Sequence, residues 1–304
     1  MPITYIPSQS LEPATTALAA AKSAKNQPIT YVPKVKDYSI DKSVKDNLTI
    51  LKGLLEQDRL NVQEIKQARQ IIHMYATDKS TAYLKLQEKV IYVNQRDNQA
   101  TAKGIKIEDR IYGGTCNVSS LSMALKYMGV STSDLLDFLK KKGFKVNQNM
   151  QYEDLVEYAG QQGVPKWDRY NNNQLGALAK VLGYDSYKIK NSNGYLGEDW
   201  YNKNVLPQLQ AGKAAIMSIN GHIVRIQGMN ENGLIVDDPF GQTKLKPGLK
   251  TGNYGITKAN QDGTSKGYNY SKKNVEGNWN EGEDNTWSWS ALQQHGTFWV
   301  RVIG

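Results

Sequence analysis

The chain contains one cysteine, Cys116, in 304 residues. A lone cysteine closes no intrachain disulfide, so it is either a small core filler or a thiol kept for its chemistry. Its setting, Gly113-Gly114-Thr115-Cys116-Asn117-Val118-Ser119-Ser120-Leu121, favours chemistry. Two glycines let the backbone turn sharply and approach a ligand. Thr115 reads as an N-cap, which places Cys116 in the first turn of a helix. There the positive end of the helix dipole favours the thiolate, the form that attacks carbonyls. A thiol nucleophile needs an imidazole, and three histidines are present: His73, His222 and His295. His222 follows Asn220-Gly221 at the start of a strand, and Asp238 closes the next strand before Pro239. Antiparallel pairing brings those two strand ends together. Asp237 is the rival carboxylate, and Asp238 is preferred because Pro239 ends the strand there. An acid on one ring nitrogen orients the imidazole and leaves the other for the thiol. His73, among Ile71, Ile72 and Met74, reads as structural, and His295 as a turn residue with no acid placed to help it.

These residues need helices first and a sheet afterwards. Leu48, Leu51, Leu54 and Leu55 mark one helix, and Val62, Ile65, Ala68, Ile71 and Ile72 another. A third spans roughly residues 81–90. Val118, Leu121, Ala124, Leu125 and Met128 give the cysteine helix a buried face. Further helices follow: one around Leu135–Leu139 capped by Ser133, then about 152–161, 173–182 and 200–210. Periodicity turns to strands at 214–219, 223–227 and 234–237, with Asn220-Gly221 a strong hairpin signal. The closing strand is Thr297-Phe298-Trp299-Val300-Arg301-Val302-Ile303. Residues 248–285 read as a long surface excursion. The class is α+β.

Thr115-Cys116-Asn117-Val118-Ser119-Ser120-Leu121 with Met123-Ala124-Leu125 resembles the nucleophile segment of papain-like cysteine peptidases. The branch is the one that includes the double-glycine leader peptidases of bacteriocin exporters. Gly221-His222-Ile223-Val224 and Ile235-Val236-Asp237-Asp238-Pro239-Phe240-Gly241 resemble its Gly-His and Asp-Pro-aromatic-Gly motifs. The resemblance spans about residues 92–303. It implies a papain-like fold, Cys116 as nucleophile, His222 as base then acid, Asp238 as orienting acid and Gln95 as an oxyanion donor. The backbone N–H of Cys116 would be the second donor. In the leader peptidases the glutamine lies a few residues before the cysteine, whereas Gln95 lies twenty-one before Cys116 and Arg110 takes the nearby place. Residues 99–109 would then loop out. No transporter region accompanies the motifs, and neither a metal site nor another cofactor is implied.

Three regions are expected. Residues 1–36 form a flexible arm in which Pro2-Ile3-Thr4-Tyr5-Ile6-Pro7 recurs as Pro28-Ile29-Thr30-Tyr31-Val32-Pro33. Such a repeat suits strand addition to a protein partner or an edge strand of its own sheet. Residues 37–91 form a helical spacer or docking region, and 92–304 the catalytic domain. The net charge of +9 points to an anionic partner, yet no nucleic-acid motif accompanies it. No apolar run is long enough to span a membrane. The start, Met1-Pro2-Ile3-Thr4-Tyr5, does not read as a secretory signal. The expectation is a cysteine hydrolase acting on peptide or amide bonds, with peptidoglycan stem peptides as candidate substrate. It would be made in the cytoplasm and carried to the wall or periplasm by a phage particle, lysis or a secretion system. The alternatives are a protein-cleaving peptidase or toxin, or a catalytically idle papain-like module anchored by its repeats. The late tryptophans, Trp279, Trp287, Trp289 and Trp299, would line the cleft or bind sugar, though packing is their commoner fate.

Overall fold

A computed structural model of the chain describes residues 44–95, 115–146, 150–190, 194–219, 222–239 and 282–304. The duplicated arm, Gly113-Gly114, Arg110, residues 99–109, Asn220-Gly221, most of 248–285 and Trp279 lie outside the described residues.

Three helices come first: α1 (Val44–Glu56), α2 (Val62–Tyr75) and α3 (Lys79–Gln87). Asn61 and Glu64 form a reciprocal capping box that starts α2. The cysteine helix α4 (Cys116–Met128) follows, and Gly129 stops it in the left-handed region at φ 88°. The apolar spacing along α4 predicts one buried face, but the helix is buried nearly all round. Asn117, Ser119, Ser120 and Ser122 are as enclosed as Leu121, and of its residues only Lys126 is half-buried. A central helix has neighbours on every side, so its periodicity understates its burial. Helix α5 (Thr132–Lys141) is capped by Ser131 with Asp134, two residues earlier than the Ser133 expected. Ser133 instead hydrogen-bonds the Ser131 hydroxyl. Helices α6 (Tyr152–Gly163) and α7 (Asn172–Val181) complete the helical layer.

The sheet is antiparallel: β1 (Ser186–Lys190), β2 (Gly194–Tyr195), β3 (Ala214–Ile219), β4 (His222–Asn230), β5 (Gly233–Asp237), β6 (Asn285–Ser288) and β7 (Gly296–Ile303). Its order is β1-β7-β3-β4-β5-β6, with β2 on β7. The strands around β3, β4, β5 and β7 fall where the sequence places them, whereas β1, β2 and β6 carry too little apolar alternation to announce themselves. The helix expected over 200–210 is two short ones, α8 (Glu198–Asn204) and α9 (Leu206–Gln210). A last short turn of helix, α10 (Trp289–Leu292), links β6 to β7.

Alternation along the strands divides the core. Ala214 and Ile216 of β3 join a cluster with α1 to α7, while Ala215, Met217 and Ile219 join Tyr201, Leu209, Trp287 and Leu292. The first cluster runs without a break from Leu51 and Ile65 of the N-terminal helices to Cys116 and Trp299. Arg69 of α2 donates to the Gly212 carbonyl and stacks over Tyr127 of α4, 4.7 Å from the ring centre. The helices of residues 44–87 therefore share their interior with the cysteine helix. Trp287 and Trp299 serve this packing, being 1% and 8% exposed.

Candidate active site

Thr115 holds the N-cap position of α4, but its hydroxyl makes no cap bond and points to the Gln95 carbonyl at 3.5 Å. Cys116 is the first helical residue and is buried, 8% exposed. Its N–H belongs to the first turn, whose donors have no partner within a helix. One turn further on, the buried Ser120 hydroxyl donates to the Ile223 carbonyl at 2.9 Å. That bond straps the cysteine helix to β4 beside His222. Val118 and Ile223 also belong to one apolar cluster, which adds to the strap in joining the helix to the strand.

His222 opens β4, paired with Ile219 of β3. Its Nε2 lies 2.6 Å from Asp238 Oδ1, which leaves the other ring nitrogen for Cys116, with which the ring also hydrogen-bonds. Both residues are enclosed: His222 is 6% exposed and Asp238 0%. Burial is the largest single influence on the ring and lowers its pKa. The negative partners Asp238 and Cys116, with their hydrogen bonds, override it and raise the pKa to about 10. The ring is thus an imidazolium at neutral pH, held between Asp238 and Cys116.

The rival carboxylate has other work. Asp237 pairs in register with Arg225, whose Nη1 donates to its Oδ2 at 2.5 Å. Burial pushes Asp237 up to about 6 against the pull of Arg225. His222 and Arg225 are three residues apart, so they leave β4 on opposite faces, as do Asp237, the last residue of β5, and Asp238, which follows it. Each pair occupies its own face.

Asp238 is held from three sides. Its N–H donates to the Gly282 carbonyl at 2.7 Å, its carbonyl accepts the Tyr92 hydroxyl, and its side chain meets the ring. Gln95 is buried, 2% exposed, and its N–H donates to the Pro239 carbonyl at 2.7 Å. The structure therefore brings Gln95 to the residues flanking both Cys116 and Asp238, across the long separation in sequence. His73 is exposed on α2, and His295 ends the turn before β7, where it is buried. Among the described residues no group of His, Cys, Asp and Glu side chains converges as a metal ion requires.

Sequence reading missed Arg225, Gln87, Tyr92 and Ser120. Arg225 alone carried a signal: a charge inside the apolar run Ile223-Val224-Arg225-Ile226 needs a buried partner, and an Asp doublet stands on the next strand.

A helix-borne thiol facing a sheet-borne His–Asp pair, on an α+β frame, defines a papain-like cysteine peptidase. The chain belongs to the Peptidase_C39 like family, whose model matches residues 87–253, more than half of its 304 residues. No curated protein and no solved structure matches it significantly. Among the described residues no helix is long and apolar enough to cross a membrane.

Proposed function

We propose that the protein hydrolyses a peptide bond through a thioacyl-enzyme, with Cys116 as nucleophile, His222 as proton carrier, Asp238 as orienting acid and Gln95 as oxyanion donor. One observation carries this reading: inside the fold the His222 ring is bonded through Nε2 to Asp238 and also hydrogen-bonds Cys116. The Cys116 thiolate adds to the scissile carbonyl carbon, and the oxygen that becomes negative meets the Cys116 N–H and the Gln95 side-chain amide. The C–N bond breaks as the imidazolium gives its proton to the leaving amine. Water then adds to the thioester carbonyl while the neutral ring takes its proton, and the thiolate leaves to restore the pair. Losing one oxyanion donor costs about 10²–10³ in rate.

For substrate, the net charge of +9 supports an anionic polymer that carries peptide bonds, and peptidoglycan stem peptides fit that description. The test is digestion of purified peptidoglycan, with released peptides read by mass spectrometry, beside casein as a protein substrate. The expected result is stem-peptide release by wild type and none by Cys116→Ala, which still binds the wall. Cleavage of casein alone would move the substrate to proteins. Release unaffected by Cys116→Ala would overturn the mechanism.

A further inference from the structure

Two carboxylates, Asp237 and Asp238, stand side by side at the end of β5, and His222 needs one of them. Strand register decides which one, because a slip of one residue would send Asp237 to the ring's face and Asp238 away from it. We propose that Arg225 is the positioning residue that prevents this exchange: it ion-pairs Asp237, leaves Asp238 to His222, and is itself held by Gln87 of the N-terminal helices. The inference rests on the reading of Cys116, His222 and Asp238 as the reacting set.

Arg225 is fully buried and spends its guanidinium on two elements. Nη1 donates to Asp237 Oδ2 at 2.5 Å. Nη2 donates to the Gln87 carbonyl at 2.5 Å and to Gln87 Oε1 at 3.1 Å. Gln87, at the end of α3, is equally buried and donates in turn to the Lys213 carbonyl before β3, at 2.9 Å. The guanidinium thus spans β4, β5 and α3, and its pairing partner in the ladder is Asp237 itself. A buried ion pair is a poor device for stability, because desolvation consumes most of the attraction. Its value lies in specificity: a planar fork accepts one arrangement of carboxylate and carbonyl.

The surroundings make Asp237 unsuited to standing alone. Asp284 faces it, giving its N–H to Asp237 Oδ1 at 3.3 Å while its own carboxylate accepts Gln227 at 2.6 Å. Glu283 is close by and ion-paired to Arg59, the other cation that acts on Asp237. Without Arg225, Asp237 is a buried carboxylate among two others, with Arg59 as the cation left near it. It then takes up a proton or turns, and the end of β5 turns with it.

The experiment is the rate at which iodoacetamide alkylates Cys116 between about pH 4 and 9, on the full chain, with the melting temperature of each variant. Arg225→Met should lower the rate at about pH 5 on the order of tenfold to a hundredfold, the scale of an ångström's misplacement. Arg225→Met with Asp237→Asn removes both charges together and should restore most of that rate. Gln87→Leu should shift the profile the same way by less. Wild-type profiles in Arg225→Met and Gln87→Leu, with only the melting temperature changed, would overturn the inference and leave the pair a packing device. Should Arg225→Met not fold, Gln87→Leu decides: a lowered acid-side rate supports the proposal and a wild-type profile ends it. A wild-type protein that alkylates as an ordinary thiol would instead remove the site reading, and this inference with it.

Discussion

At the scale of single residues, the imidazole of His222 carries the most information. Its pKa is raised from the ordinary 6.5 to about 10, against the burial that would lower it. A group whose pKa rises on folding stabilises the fold fully below its unfolded value, and that contribution is lost as pH climbs through the folded value. The stabilising part of His222 is therefore complete below about 6.5 and gone above about 10. Nitrogen NMR of the ring at about pH 8 should find both nitrogens protonated in wild type. In Asp238→Asn the ring should titrate nearer its ordinary range, while Asp237→Asn should leave it charged. A neutral wild-type ring at that pH would refute the ion-pair reading. Cys116, His222 and Asp238 were legible in the sequence because their residue types are scarce and their motifs are local. Gln95 was singled out only through family resemblance, since nothing in its own neighbourhood marks it, and the structure brings its backbone to Thr115 and Pro239. What holds Arg225 beside Asp237 was not legible, since its partner Gln87 lies 138 positions away. No spacing rule reaches that far.

At the scale of elements, the joint between α4 and β4 matters most, because one supplies the thiol and the other the ring. Its specific bond is the Ser120 hydroxyl to the Ile223 carbonyl, buried at 2.9 Å. Ser120→Ala leaves that carbonyl short of a partner and should cost about 1–3 kcal/mol in urea unfolding. Ser120→Thr keeps the hydroxyl and should recover part of the loss. A Ser120→Ala protein as stable as wild type would show that apolar contact alone joins the two elements. The sequence revealed both elements but not their joint: a serine in a helix ordinarily faces water, and its burial follows from the neighbours on all sides of α4. The edge strands β1 and β6 escaped notice for the opposite reason. An edge needs little apolar surface, and Lys188 in β1 and Asn285 in β6 read as loop residues.

At the scale of the whole molecule, the helices of residues 44–87 and the peptidase core have a common interior. Leu60, Ile65, Ile71, Ile72 and Leu86 are 0–2% exposed and belong to the cluster that contains Cys116. Each such side chain is worth about 1.5–3 kcal/mol on burial, against a net stability of about 5–15 kcal/mol for a domain. A chain begun at residue 92 should therefore lack the folded far-ultraviolet dichroism of the full protein. It should also lose the rapid acid-side alkylation of Cys116. A folded, reactive truncation would instead make residues 37–91 a detachable docking region. From sequence alone these helices look self-sufficient, because amphipathic spacing says which face is covered and not what covers it.

Helix α4 has neighbours on every side and lies at the middle of the helical layer. An element so enclosed opens only when the whole structure opens. Cys116 thus rides on a part of the molecule that opens last. Its geometry is therefore kept for as long as the fold is kept.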